Sequence, residues 1–372
     1  MAIDFEAEGL LEGLEGDARE ARRELLKRLS DDGFSLEELK QAAAEGRLAL
    51  LPVERVLEGD GRRYTLEEVA EKSGLGRDYF ESVLRAMGVA RPGPDERELT
   101  DAEVAAARGI KVARDAGIPD EEQLEIVRAM SRGTANIATA VTRVFGRTFL
   151  QPGDTEHDVA LRYAEASEAL KPVISGALVH MFNIHLREEV RQAAVGREEI
   201  EAGSLPAAQE MTICFADLVG FTRLGERIEP DELGAIAGRL GALATEVAEP
   251  PVRLVKTIGD AAMLVAPEPD PLLGAALDLI DAADSEGDFP PLHAGLARGQ
   301  SLGRGGDWYG RPVNLASRIT GFARPSSVVA TKAVRDSAKG DWRWSNAGEH
   351  RFKGVKGQVA VYRVRRGEPT PG

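Results

Sequence analysis

The sequence predicts two domains of different class, an all-α first half and an α/β second half. Three observations predict this. Before residue 205, apolar residues recur at spacings of three and four in ARRELLKRL, SLEELKQAAAEGRLALL and DEEQLEIVRAM, the period of helices with one buried face. Beyond it, β-rich runs (MTICFA, PVRLVKTI, AAMLVA, SSVVAT, VAVYRV) alternate with helical runs (DELGAIAGRLGALATEVA, DPLLGAALDLIDAA, PVNLASRITGFA). Between the two textures, AGSLPAAQ (202–209) is small-residue sequence with Gly203 and Pro206, which reads as a linker. The expected boundaries are a helical domain over 1–202, a linker at 203–209, a second domain over 210–366 and a tail at 367–372.

Composition limits the function. The 372 residues are 43% hydrophobic and 29% charged, ordinary for a globular chain. The formal net charge of −15 argues against broad nucleic-acid affinity, which needs basic surface. It leaves room for a small polyanion held by local cations. The one cysteine, Cys214, excludes an intrachain disulfide and a cysteine-based zinc site. MAIDFEAEGLLEGLEG is acidic from its fourth residue and does not read as a signal peptide. The most apolar long stretch, PVISGALVHMFNIHL (172–186), is interrupted by His180, Asn183 and His185, so no transmembrane segment is expected. A cytoplasmic location is the expectation.

Taking the elements in order, Ser35 with Glu38 forms a capping box ahead of an apolar pattern. YTLEEVAEKSGLGRDYFESVLRAMGV (64–89) has the pattern of a helix, a tight turn and a second helix, and resembles the start of a MerR-type DNA-binding domain. Its charge disagrees with that role. From Asp60 to Thr100 there are nine acidic and seven basic residues, where a recognition helix carries excess Lys and Arg. SGALVHMFNIHLREEVRQAAVGREEIEAG (175–203) lacks proline and reads as one long helix running into the linker, with the linker-helix part placed at about 175–202. His157, His180 and His185, three of the five histidines, lie in or near it, and Glu189 follows His185 by one helical turn.

In the second half, ICFADLVGFT (213–222) is an apolar strand that ends on Asp217, with Gly220 supplying a tight turn. By itself this aspartate reads as a solvated charge or a helix cap. RLVKTIGDAAMLVA (253–266) places Gly259–Asp260 in a hairpin turn and Lys256 inside an otherwise apolar strand. A lysine there is costly unless it faces a ligand or a partner. In GRGGDWYGRPVNLASRI (303–319), three glycines precede Asp307, Pro312 suits a first helical turn, and Asn314 and Arg318 fall on one helix face. HRFKGVKGQVAVYRV (350–364) sets Lys353 and Lys356 around Gly354 before the last strand.

Taken in order, FADLVGFT, KTIGD, DWYGRPVNLASR and RFKGVKG resemble the catalytic domain of class III nucleotidyl cyclases, over roughly 206–366. The resemblance implies a ferredoxin-like βαββαβ core and adenylyl cyclase activity. It implies that Asp217 and Asp260, with the Leu218 carbonyl, hold two Mg²⁺ or Mn²⁺ ions on a nucleoside triphosphate. Lys256 and Asp307 occupy the purine-reading positions, and that pair favours ATP, because adenine offers an acceptor at N1 and a donor at position 6 while guanine reverses both. Asn314 is placed on the ribose, Arg318 on transition-state charge and Lys353 on the triphosphate, with Lys356 as the alternative. Where relatives carry Arg or Glu after a GIHTGE-like glycine, this chain reads GLARGQ, with Gln300 in that slot and Arg298 nearby. The family builds each site from two subunits, so a homodimer with composite sites is implied.

The helical half resembles the regulatory half of mycobacterial pH-sensitive adenylyl cyclases. It is expected to control dimer geometry, with His180 and His185 as candidate proton sensors, and its apolar face is a candidate site for a small hydrophobic ligand. Two other readings compete: a transcriptional regulator that senses ATP through a cyclase-like domain and carries the MerR-like segment, and a guanylyl cyclase.

Overall fold

Polar caps and left-handed glycines punctuate the first half of the computed structural model, which describes residues 3–59, 61–192 and 208–367. The chain divides into two units, Met1–Ala194 and Val195–Gly372, each described by itself. The first is helical: α1 Gly16–Asp31, α2 Leu36–Ala44, α3 Leu51–Glu58, α4 Leu66–Ser73, α5 Arg77–Met87, α6 Asp101–Asp115, α7 Asp120–Phe149 and α8 Glu156–Gln192. The capping box before α2 forms as expected, with the Ser35 amide donating to the Glu38 carboxylate at 2.7 Å and the Glu38 amide donating back to Ser35 Oγ at 3.3 Å. Thr65 with Glu68 and Thr100 with Glu103 repeat the device.

The run 35–51, which reads as one helical pattern, is cut in the structure. Gly46 is left-handed (φ 67°), α2 stops at Ala44, and a 3₁₀ turn at Leu48–Leu50 leads into α3. Leu25, Leu26, Leu29 and Leu39 form one small core with Ala160 of α8. Val69, Phe80, Val83, Leu84 and Val104 form another. The α4–α5 pair is the expected helix-turn-helix, with left-handed Gly74 ending α4. The arginines of its second helix are neutralised locally: Arg77 lies 3.1 Å and Arg85 3.8 Å from Glu81, which also takes Arg91 at 2.7 Å. The long helix begins far earlier than the pattern from 175 suggests, at Glu156, and runs through Pro172. Just before that proline, Lys171 donates to the Val56 and Leu57 carbonyls at the C-terminal end of α3. Residues 193–207, which include the expected end of this helix and most of the expected linker, lie outside the described residues. Among the described residues, no helix is long and apolar enough to cross a membrane.

The second unit is β1 Gln209–Leu218, α9 Phe221–Leu224, α10 Pro230–Glu246, β2 Arg253–Ile258, β3 Ala261–Ala266, α11 Pro269–Ser285, β4 Leu292–Arg304, β5 Asp307–Tyr309, α12 Arg311–Thr320, β6 Ser327–Thr331, α13 Lys332–Ser337, β7 Trp342–His350 and β8 Val359–Arg366. The strand order is β2-β3-β1-β4-β6-β8-β7, with β5 paired to the end of β4. The segment β2-β3-β1-β4 is wholly antiparallel and, with α10 and α11, makes the βαββαβ core. β4 and β6 pair in parallel. The edge strand β7 is absent from the sequence reading, because only alternate positions such as Trp342 and Trp344 are partly covered and its apolar signal is weak.

Alternation along β1 divides the core between the two sheet faces. Cys214, Ala216 and Leu218 join Leu240, Leu243, Leu272 and Leu279 of α10 and α11 on one face. Met211 and Ile213 join Leu315, Ala316 and Ile319 of α12 on the other. Burial pushes the Cys214 thiol up to about 12, so it is a packing residue. α12 lies against the sheet where Gly295 leaves space: a Cβ there would fall 2.5 Å from the Thr320 amide nitrogen and 2.7 Å from Ile319 Cγ1. Thr320 Oγ1 donates across this contact to the Phe215 carbonyl at 3.1 Å. Gly295→Ala is expected to lift α12 and to destabilise the protein by about 1–3 kcal/mol, as overpacking does, measured by denaturant unfolding of the full chain.

Candidate active site

The face of the sheet that carries α12 also carries the charged residues. Period two places Asp217 with Ile213 and Phe215 on that side. Asp217 is the penultimate residue of β1, opposite Ala261 of β3 and His293 of β4. Left-handed Gly220 (φ 80°) then turns the chain into α9, and no side chain caps that helix, so the cap reading of Asp217 is set aside. Gly259 (φ 60°) and Asp260 form the tight turn joining β2 and β3. The Leu218 amide donates to the Asp260 carbonyl at 3.0 Å, which ties the end of β1 to this turn and brings the two aspartates together.

Two carboxylates this close repel. Burial, and then the charge of Asp217, hold the Asp260 carboxyl above the usual carboxylate range. His293 partly offsets that repulsion. Its Nδ1 donates to the Ala323 carbonyl at 2.9 Å, which leaves Nε2 toward Asp217 Oδ2 at 3.5 Å. Burial works to lower the imidazole pKa, but Asp217 and the Ala323 carbonyl outweigh it and hold the value above normal. The sequence reading missed His293. A lone histidine in an apolar strand gives no local signal, and only the cross-strand register puts it beside Asp217.

The donor set suits a hard divalent cation. It offers carboxylate oxygens under mutual repulsion, next to main-chain carbonyls and an open face. Among the described residues, no group of three His, Cys, Asp or Glu side chains closes a metal site.

Lys256 lies opposite Met263, next to a bulge in β2 that follows Leu254, and its ammonium is hydrogen-bonded to Asp307 Oδ2. The cost expected for a lysine in this strand is met by that partner. The other oxygen, Asp307 Oδ1, accepts from the Trp308 amide at 2.8 Å. Asn314 and Arg318 are exposed on the outer side of α12, whose inner side buries Leu315, Ala316 and Ile319. Lys353 and Lys356 are exposed in the loop before β8. That loop is held to the end of α12 by Phe352, whose ring meets Phe322 edge-to-face at 6.1 Å. Among the described residues, no hydrogen bond or ion pair joins Asn314, Arg318 or Lys353 to the Asp217, Asp260, Lys256 and Asp307 group.

Other predicted residues are placed elsewhere. Arg298 turns away: its guanidinium donates to Thr212 Oγ1 and the Pro267 carbonyl and lies near Glu210 and Glu268. Thr212 alternates with Ile213, so this is the sheet face opposite Asp217. Gln300 donates to Glu210 at 3.0 Å. In the helical unit, His180 and His185 are exposed on α8, while Nδ1 of His157 is buried without a partner.

Comparison with known proteins places this architecture. Residues 3–190 match the model of the adenylate cyclase regulatory domain. The chain is 37% identical to a pH-sensitive adenylate cyclase of Mycobacterium tuberculosis, over 100% of this chain and 94% of that one. It is 32% identical to an adenylate cyclase of Streptomyces griseus, over 76% of this chain and 70% of that one. The guanylate cyclase domain of RhGC from Catenaria anguillulae is a solved structure it resembles, at 26% identity, 42% of this chain, 97% of that chain and a TM-score of 0.38. The chain belongs to the class III adenylate cyclases that carry an N-terminal regulatory domain.

The charge arrangement has a measurable consequence. Asp260 has a raised native pKa, so the native state holds its proton more tightly than the unfolded chain does. Stability contributed by this group is therefore lost as pH rises from the ordinary carboxylate value through the native one. Asp260→Asn removes that loss. Chelator-treated Asp260→Asn protein is expected to melt at a higher temperature than wild type at neutral pH, with the advantage disappearing in acid. Scanning calorimetry across pH checks this.

Proposed function

We propose that this chain is an adenylyl cyclase, converting ATP to 3′,5′-cyclic AMP and pyrophosphate in a homodimer with two composite sites. One observation carries the reading. Among the described residues, the two crowded carboxylates Asp217 and Asp260 make no hydrogen bond or ion pair with Lys256, Asp307, Asn314, Arg318 or Lys353 of the same chain. The separation of the two sets supports sites completed by a second copy. Cover for the apolar residues that α7 and α8 expose supports it too: Met130 is 61% exposed, Val173 63% and Phe182 59%.

In this reading Asp217 and Asp260, with the Leu218 carbonyl, hold two divalent cations, Mg²⁺ or Mn²⁺. When bound, these supply Lewis acidity at the ribose 3′-hydroxyl and neutralise charge on the triphosphate. On the partner chain, Lys256 donates to adenine N1 and Asp307 accepts from the 6-amino group, and their ion pair keeps both charges in place before the base arrives. From the partner chain, Asn314 orients the ribose, Lys353 binds the triphosphate and Arg318 stabilises charge as the 3′-oxygen attacks the α-phosphorus and pyrophosphate leaves. The helical unit regulates by setting the geometry between the two catalytic units. That the Mycobacterium tuberculosis relative is named pH-sensitive supports a proton signal acting through His180 and His185 on α8.

Cyclic AMP formation by the purified chain tests the activity. Asp217→Ala and Arg318→Ala should each lower kcat on the order of a hundredfold or more. Mixing the two inactive variants should restore about a quarter of wild-type activity, since half the dimers are mixed and each keeps one intact site of two. No recovery on mixing would reject composite sites. For regulation, replacing His180 and His185 together with glutamine should flatten the pH–activity curve of the full chain toward that of residues 206–372 alone. A curve unchanged by both manipulations removes the proton-sensing assignment and keeps the enzyme.

A further inference from the structure

Asp307 stands on a meagre support. β5 is three residues long and lies off the path of the main sheet. It pairs only with the tail of β4, Leu302 to Tyr309, Gly303 to Trp308 and Arg304 to Asp307. The turn between them is Gly305–Gly306, both left-handed (φ 60° and 80°), a conformation that fits a tight hairpin and contributes no packing. A two-stranded hairpin of this size is marginal without a covering side chain. The carboxylate that faces Lys256 therefore needs something else to hold its strand.

Trp308 meets that need. It lies directly across from Gly303, and a Cβ built on that glycine would sit 3.5 Å from its Cη2, 3.6 Å from Cζ2 and 3.7 Å from Cε2. The indole therefore lies over the bare glycine, an aromatic–glycine pair of the kind that rescues a weak strand. Its other contacts run to the buried cluster between α12 and the sheet, so it links the hairpin to the unit's core. Its backbone N–H donates to Asp307 Oδ1. Two residues on, Gly310 (φ 142°) closes the hairpin where a Cβ would fall 2.8 Å from the Gln300 carbonyl oxygen.

We propose that Trp308 is a positioning residue that holds Asp307 against Lys256 and thereby sets the preference for adenine over guanine. The inference rests on the adenylyl cyclase reading and deepens it. The Trp308 side chain packs on Gly303 and the buried cluster, so its loss acts on where the base sits and leaves the metal-binding carboxylates alone.

The experiment measures kcat and KM of the full-length chain with ATP and with GTP. Trp308→Ala is expected to raise KM for ATP roughly tenfold and to cut the ATP-over-GTP ratio of kcat/KM by a similar factor, as misplacement of a binding group by part of an ångström does. Trp308→Phe keeps a flat ring over Gly303 and should restore most of the preference. Gly303→Val retains the indole and pushes it away, so it should reproduce the Trp308→Ala effect even if that variant fails to fold. A folded Trp308→Ala or Gly303→Val protein whose ATP-over-GTP ratio stays at the wild-type value overturns the assignment. So does an equal loss with both nucleotides. Wild-type protein that makes no cyclic AMP rejects the cyclase reading itself, and this inference with it.

Discussion

The second unit depends on the hydrogen-bond ladders along both edges of β1. That strand is paired to β3 from Thr212 to Asp217 and to β4 from Gln209 to Leu218, so its backbone has no freedom to slide or rotate. A one-residue slip would turn Asp217 into the core beside Leu240 and push Cys214 out of it, which the apolar contacts on both faces forbid. The ladders therefore aim the first carboxylate. Through the Leu218–Asp260 hydrogen bond they also fix where the second one sits. β4, paired along the same strand, delivers His293 next to Asp217 and, at its far end, the hairpin that bears Asp307.

Against that frame, the site is under-neutralised by design of its charges. Asp217 and Asp260 repel, and the half-buried His293 compensates in part. Lys256 and Asp307 neutralise one another as an ion pair. The first pair is poised to accept cations. The second holds opposite charges in one fixed hydrogen-bonded arrangement. These differ in kind: like charges store unfavourable energy that a metal releases, whereas opposite charges hold a geometry ready.

The helical unit shows a different economy. Its two small cores bury the short helices, but α7 and α8 leave Met130, Val144, Val173, Phe182 and Val190 largely exposed. Helices of 30 and 37 residues with so little burial need apolar cover to be stable in water.

How much of this was legible depended on whether the signal was local. Asp260 and Asp307 each follow a left-handed glycine, Asp217 lies three residues before one, and Pro312 marks the start of the helix bearing Asn314 and Arg318, so these positions declared themselves in sequence. The Ser35–Glu38 capping box and the helix-turn-helix did the same, because a cap involves residues three apart. By contrast, His293 and Trp308 gain their meaning from neighbours across strands, Asp217 and Gly303, and Arg298 loses its apparent one because alternation aims it at Glu210 and Glu268. The early start of α8 and the break at Gly46 were hidden for the same reason, since a helix pattern shows where turns can form and tertiary packing decides which do. The sequence by itself determined the two domain classes and the family, and named the charged residues of the proposed site. Tertiary structure alone decided which of those charges face one another, because pairing register relates residues that local spacing cannot connect.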